Sequence, residues 1–185
     1  MSKSVLRPAA FFLSAMLLTA TVSSCILESN IPLSDSNNFH EAKFAGNWVP
    51  WDDEKGRPDD NQDVLEIKDT GKTYSCRNLK EEKGFQFILT KLDSFYFISA
   101  RNQADEPWLI FRIEFAGDKF LVRGLNKKGQ EAFGKISERR DNKNYVKISQ
   151  AELQKWCLRN AGLFTAKCGT FKKQSTGGKP SVRKQ

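Results

Sequence analysis

From Phe44 onward, apolar and polar residues alternate along short runs that turn residues separate. About nine such runs follow one another, at 46–49, 64–68, 72–78, 85–90, 95–99, 109–115, 120–125, 131–136 and 145–148. Alternation with a period of two is typical of strands with one buried face, and evenly spaced turns favour an antiparallel meander. The pattern therefore predicts a mainly all-β domain over residues 44–171, an antiparallel meander barrel of about eight to nine strands.

The pattern changes at Ser149. Ser149 and Glu152 have the spacing of a capping box, which marks the start of a helix. Leu153, Trp156 and Cys157 then share one face, and Gly162 lies where a helix would end. The sequence predicts one C-terminal amphipathic helix, packed on the barrel exterior or across one mouth, and a final short strand over 163–171.

The first 25 residues have the three parts of a secretory signal. Lys3 and Arg7 precede an apolar stretch at 9–22 that is too short to span a bilayer comfortably. The Val22-Ser23-Ser24-Cys25 sequence resembles the lipobox of bacterial lipoproteins. That resemblance implies cleavage before Cys25, acylation of Cys25 with palmitate-type chains, and attachment to a lipid bilayer. An ordinary secretory signal and an uncleaved anchor are the alternatives.

The residues after Cys25 bear on location and on tethering. Ile26 stands where an aspartate would signal retention, so the resemblance implies the outer membrane, with the protein facing the periplasm or the cell surface. Residues 26–43 are rich in Ser, Asn and Asp, contain Pro32 and have no apolar periodicity. We therefore expect residues 25–43 to form a flexible lipidated tether.

The formal charge of +8 is not spread evenly. Two of the 30 basic residues lie in the first 24 positions and five lie in 172–185, which leaves 23 against 22 acidic residues. This balance gives no indication of nucleic-acid binding. The basic segment 172–185 contains Gly177, Gly178 and Pro180 and is predicted to be disordered. It either contacts anionic lipid or cell-wall polymer, or serves only solubility.

Three cysteines remain after Cys25. Export would place Cys76, Cys157 and Cys168 in an oxidising compartment, where disulfides persist. The short separation of Cys157 and Cys168 favours that pair, and buried unpaired thiols are the alternative.

Gly46-Asn47-Trp48 at the first strand, the long meander, and the helix with one more strand are similar to lipocalins and lipocalin-like barrels. The resemblance covers residues 44–171 and implies that Trp48 closes one end of the barrel beneath a stacked arginine. Arg139, Arg140 and Arg159 are candidates for that arginine. It also implies a carrier of a small apolar ligand or lipid.

Aromatic residues dominate the positions expected to face inward. They either line a pocket for an apolar ligand or fill the barrel, since an eight-stranded barrel has room for only one of the two. These residues are Trp48, Phe85, Phe87, Phe95, Phe97, Phe111, Phe115 and Phe120.

Candidate catalytic and metal-binding groups are few. His40 lies in the expected tether, and Asp52, Asp53 and Glu54 lie in an acidic loop. Asp59, Asn61 and Asp63 have the spacing that begins a calcium loop, but Val64 replaces its glycine and the distal glutamate is missing. We therefore expect no enzyme activity, metal or cofactor, and a binding or scaffold module for another envelope protein, with the ligand carrier as the alternative.

Overall fold

The computed structural model describes residues 26–59, 64–80, 84–140 and 143–174. The predictions for Cys25 and for most of the basic segment lie outside these residues. The described part forms twelve strands, and their bounds are β1 Leu27–Ser29, β2 Gly46–Asp52, β3 Arg57–Pro58, β4 Leu65–Asp69, β5 Tyr74–Asn78, β6 Gly84–Leu92, β7 Phe95–Arg101, β8 Trp108–Ala116, β9 Lys119–Gly124, β10 Ser137–Arg140, β11 Lys143–Val146 and β12 Ala166–Lys173. Two α-helices, α1 (Lys127–Gly134) and α2 (Gln150–Arg159), lie between β9 and β12.

Eight strands close into an antiparallel barrel in the order β2, β4, β5, β6, β7, β8, β9 and β12. Each pairs with the next barrel strand along the chain, and β12 closes the ring by pairing with both β9 and β2. Closure leaves these eight strands without an open edge. Outside the ring, β1 pairs with β8 and β3 pairs with β2. The predicted meander barrel is confirmed.

The interior of the barrel is one apolar cluster, called the inner cluster below. Alternate residues build it, as in β4 and β5, where Leu65, Ile67, Tyr74 and Cys76 are buried between more exposed neighbours. Its buried members are Phe44, Trp48, Leu65, Ile67, Tyr74, Cys76, Phe87, Leu89, Ile98, Ala100, Leu109, Phe111, Ile113, Phe120, Val122 and Phe171.

Residues 125–165, called the insertion below, connect β9 to β12 and pack on the outside of the barrel. They contain α1, the β10–β11 hairpin, α2 and a 3₁₀ helix at Ala161–Leu163. Their apolar side chains meet the outer faces of β7 and β8 in a second cluster, the outer cluster. Its buried members are Leu27, Leu33, Phe97, Ile110, Leu125, Phe133, Leu153, Trp156, Cys157, Ala161 and Phe164.

Helix α1 replaces the strand expected at 131–136. Asn126 caps this helix, because its side-chain Oδ1 accepts a hydrogen bond from the Gly129 N–H at 2.9 Å. Gly129 packs so closely on Leu125 that a Cβ there would lie 2.7 Å from Leu125 Cδ2. Asn126 and Gly129 thus start a helix, and its Phe133 enters the outer cluster.

Helix α2 confirms the predicted helix and its capping box. The Ser149 side chain accepts from the Glu152 N–H, and the Glu152 carboxylate accepts from the Ser149 N–H at 2.9 Å. The helix buries Leu153, Trp156 and Cys157 as expected. It ends at Arg159, before Gly162, because Asn160 leaves the helical conformation (φ −105°, ψ 14°) and a 3₁₀ turn follows.

Residues 26–44, called the N-terminal segment below, pack against the barrel, so the expected flexible tether is wrong. Leu27 and Leu33 belong to the outer cluster, and Phe44 belongs to the inner cluster. Leu27 and Leu33 have no exposed surface. The Leu33 N–H donates to Ser99 Oγ at 3.0 Å, and the Leu89 N–H donates to Asn37 Oδ1 at 2.9 Å. Scattered leucines that fill the gap between barrel and insertion need no periodicity, which is why the sequence pattern resembled a linker.

No disulfide joins Cys76, Cys157 or Cys168 to another of these three, so the predicted Cys157–Cys168 bond is wrong. Cys157 is buried in the outer cluster, whereas Cys168, on β12, packs against the inner cluster. The two side chains therefore belong to different cores, although their positions in the sequence are close. Burial raises the pKa of the Cys76 thiol to about 12 and raises the pKa of Cys157 as well, so both thiols are unreactive.

Candidate functional site

The barrel interior holds six of the eight aromatic residues predicted to face it. Trp48, Phe87, Phe111 and Phe120 are buried members of the inner cluster, and Phe85 and Phe115 pack against it while partly buried.

Phe95 and Phe97 face outward, which corrects the prediction for β7. Phe97 is fully buried in the outer cluster, 5.4 Å from the ring of Phe164, and Phe95 packs against the same cluster. Ile98 and Ala100 face the interior instead. Because the insertion covers β7, this strand is apolar on both faces, and alternation could not indicate which face is inward.

Phe44 closes one end of the barrel and was not identified from the sequence. It ends a 3₁₀ helix at Ala42–Phe44, and its ring centroid lies 5.0–6.1 Å from those of five other rings. Those rings are Trp48, Tyr74, Phe87, Phe115 and Phe120. Such distances are those of direct aromatic contact, so the rings leave no room for a ligand among them.

Trp48 packs against Phe44 in the inner cluster, and the cation above its ring is a lysine, whereas the resemblance implied an arginine. Lys173 Nζ is 5.6 Å from the centroid of the Trp48 ring and donates to the Lys43 carbonyl at 2.6 Å. The candidates Arg139, Arg140 and Arg159 lie in the insertion. Trp48 Nε1 donates to the Phe44 carbonyl at 2.8 Å, which joins the tryptophan to the closing residue. Gly46 has a φ of +129°, a conformation that favours glycine.

The outer wall of β4–β7 carries an open cavity of about 550 Å³, called the groove below. Polar side chains supply most of its lining, among them Glu66, Lys68, Arg77, Gln86, Arg101 and Asn102. Its size is that of a ligand site, but its lining differs from the largely apolar lining of small-molecule pockets.

Two cations hold the single described carboxylate of the groove. The Glu66 carboxylate accepts from Arg77 at 2.9 Å and lies 3.1 Å from Lys68 Nζ. Hydrogen bonding from Lys68, assisted by Arg77, lowers the pKa of Glu66 below its ordinary value and outweighs burial, which raises it. With Arg101, three cations face one carboxylate among the described lining residues.

The loop after β7 is a preformed wall of the groove. The Arg101 guanidinium stacks 4.1 Å from the Trp108 centroid and donates to the Ala104 carbonyl at 3.0 Å. The buried Asn102 Oδ1 has no hydrogen-bond partner. The Arg101 guanidinium, held in one position by its contacts with Trp108 and Ala104, is a charged donor to which a polar partner could bond.

Comparison of the chain with protein-family models, with curated proteins and with solved structures gave no match.

The groups considered for catalysis are engaged in structural contacts. His40 Nδ1 lies 3.1 Å from Asp69 Oδ2 on the surface. Asp52 pairs with Lys55 at 2.8 Å, also at the surface. In the described ranges, no group of three or more His, Cys, Asp or Glu residues is arranged to hold a metal. Asn61 and Asp63 lie outside the described residues, and Asp59 lies at their edge.

Asp53 links the end of β2 to β9 and β12. Its carboxylate accepts from Thr170 Oγ1 at 2.7 Å and from Lys167 and Lys119 at 3.1 Å each. The hydrogen bond from Thr170 is the largest cause that lowers the Asp53 pKa, to about 2. The carboxylate is therefore a permanent anion that holds the closing strands together, and sequence reasoning had treated it only as part of a flexible loop.

Proposed function

We propose that the chain is a bacterial lipoprotein, acylated at Cys25, whose barrel is a non-catalytic module that binds or holds another envelope protein. One observation carries this proposal. Aromatic side chains of the protein itself fill the closed end of the barrel, whereas a polar groove of about 550 Å³ is open on the outer wall. A polar groove suits the backbone and side chains of a protein segment better than an acyl chain.

Anchoring by Cys25 follows from the lipobox resemblance, and outer-membrane placement follows from Ile26. Within the described residues, no helix is long and apolar enough to cross a membrane. Several acyl chains anchor a protein stably, so the acylated Cys25 would supply the attachment to the membrane. Lys172 and Lys173 belong to β12, so the attraction to anionic lipid or cell-wall polymer would come from the basic residues that follow, Lys179, Arg183 and Lys184.

The alternative function is a carrier of a small apolar ligand. The fold supports it, because the closed eight-stranded barrel is compatible with a lipocalin-like ligand-binding barrel. Native mass spectrometry of protein purified without detergent separates the two functions. We expect barrels without a co-purifying lipid; a stoichiometric lipid that survives Cys25→Ala would support the carrier.

The groove is tested by photo-crosslinking in cells. A photoreactive residue at Gln103, in the groove, should crosslink one envelope protein, and Arg77→Glu should abolish the product because it reverses a groove charge. The same probe at exposed Glu54, on the β2–β3 turn, is the matched control and should give no product. Equal products at both positions, or a product that Arg77→Glu leaves unchanged, would contradict binding at the groove.

A further inference from the structure

Positive charge is concentrated in the insertion. Residues 125–165 contain nine Lys or Arg against four Asp or Glu, whereas residues 26–124 and 166–174 contain 16 against 18. The described cations of the insertion are exposed, among them Lys127, Lys128, Lys155 and Arg159. One part of the fold is therefore basic, and the barrel to which it is attached is slightly acidic.

The insertion and the start of the N-terminal segment lie on the same wall. The hairpin is bonded to β1 and the residue after it: Asn144 Nδ2 donates to Glu28 Oε2 at 2.9 Å, and the Val146 N–H donates to Asn30 Oδ1 at 2.6 Å. Helix α2 is bonded to the residues that follow β1, since Gln154 Nε2 donates to the Leu33 carbonyl at 2.5 Å. We call this surface, over β7 and β8, the insertion wall.

In the sequence, Cys25 immediately precedes the described N-terminal segment. Strand β1 starts at Leu27 and pairs with β8, and Ile26 packs against the inner cluster. Only one peptide bond separates Cys25 from Ile26 in the sequence. An acyl group on Cys25 would thus be attached two residues before β1 in the sequence, and β1 belongs to the segment bonded to the insertion.

The exposed face of α2 has the character of a membrane-surface helix. Leu158 is 37% exposed, one of two large hydrophobic side chains that are exposed in the described residues. Lys155 and Arg159 flank it and are exposed. On the hairpin, Glu138 is already paired with Arg140 and lies 3.7 Å from Lys147. Cations around an exposed apolar side chain fit anionic headgroups.

We propose that the insertion wall lies flat on an anionic bilayer, which fixes the orientation of the barrel. This inference rests on the proposed acylation of Cys25. The groove residues on β4 and β5 then point away from the membrane, because these strands lie four and three strands from β8 in a ring of eight. The lipid anchor and the basic insertion would thereby fix the orientation of the barrel. The groove would then be presented to its partner in that orientation.

The test measures how near two positions lie to the lipid. Full-length acylated protein with Cys168→Ser is labelled with a fluorophore at Arg139→Cys, on the hairpin, or at Lys68→Cys, on the groove wall. The protein is reconstituted into phosphatidylcholine vesicles with phosphatidylglycerol and a lipid that carries a headgroup quencher. We expect strong quenching at position 139 and little at position 68.

Charge variants test the cause. Lys127→Gln, Lys128→Gln and Lys155→Gln together should remove most of the difference in quenching, because each cation near an anionic surface changes the surface-bound population about fivefold. The matched control, Lys55→Gln with Lys72→Gln and Lys91→Gln, removes three exposed charges of the barrel. It should leave the difference in quenching between positions 139 and 68 unchanged.

The outcomes separate the two proposals. Acylated protein with equal quenching at both positions overturns the orientation and leaves the lipoprotein proposal intact. A difference in quenching that the insertion variant leaves unchanged overturns the role of charge. Protein without acyl chains in its mass spectrum contradicts the lipoprotein proposal, and if it also fails to sediment with anionic vesicles, the orientation falls with it.

Discussion

Single residues that sequence reasoning passed over determine how this barrel is closed. Phe44 stands outside any strand, and Asp53 stands in an acidic loop. Neither residue belongs to a periodic pattern in the sequence that would indicate its role. Each acquires its role from groups that are distant in sequence, which only the tertiary structure brings together.

Phe44→Ala should lower the free energy of unfolding by about 3–5 kcal/mol, because it removes a ring that is 1% exposed from contact with five others. Urea denaturation followed by circular dichroism measures the change. Phe39→Ala is the matched control, since this ring is only partly buried and stacks on Tyr96 at 5.1 Å. A loss for Phe44→Ala no larger than for Phe39→Ala would show that the end of the barrel closes without it.

The pKa of Asp53 makes a pH-dependent contribution to stability. Its folded value of about 2 lies below the ordinary 3.8, so the stabilisation is fully present above pH 3.8 and is lost as the pH falls towards 2. Asp53→Asn should cost about 1 kcal/mol near neutral pH, since the carboxylate is partly exposed and its ion pairs are screened.

The pH dependence supplies the sharper measurement. Between pH 3.8 and about 2, the free energy of unfolding of Asp53→Asn should fall less steeply than that of the unsubstituted protein. Thr170→Val, which removes the strongest hydrogen bond to the carboxylate, should give an intermediate slope. Identical slopes in all three proteins would contradict the stabilising role of the ionised Asp53 carboxylate.

At the scale of elements, the sequence predicted the helices and strands whose characteristic pattern is complete within a few neighbouring residues. Helix α2 has its capping box and its apolar face in one stretch, and both are observed. Helix α1 is short, contains two glycines and is held by its Asn126 cap and the outer cluster. The N-terminal segment has no period at all, because its leucines fit a gap between two other layers.

Leu33→Ala should lower the free energy of unfolding by about 2–5 kcal/mol, because Leu33 is fully buried between the barrel and α2. Leu79→Ala is the control, since Leu79 is 42% exposed and should change stability by less than about 0.5 kcal/mol. Hydrogen exchange gives a second readout: the amide of Leu33, which donates to Ser99 Oγ, should be protected. Rapid exchange there, together with a neutral Leu33→Ala, would restore the flexible tether.

At the scale of the whole molecule, the sequence predicted the meander and its closure but not what covers the ring. Alternation identifies a strand with one buried face, as in β4 and β5, and it loses its meaning in β7, where both faces are buried. The two cores also separated Cys157 from Cys168. The groove has no sequence signature, because its residues come from four strands and a loop that meet only in the folded wall.

Closure by β12 has a consequence for biogenesis. The strand that completes the ring pairs with β2, the first barrel strand along the chain, so β2 and β9 present open edges until β12 pairs with them. Contacts of such long sequence separation form slowly, and open edges invite intermolecular pairing. The folding chain therefore passes through an aggregation-prone stage that lasts until residues 166–173 have been made and have paired with β2 and β9. A chaperone that prevents aggregation would have to protect the chain until then.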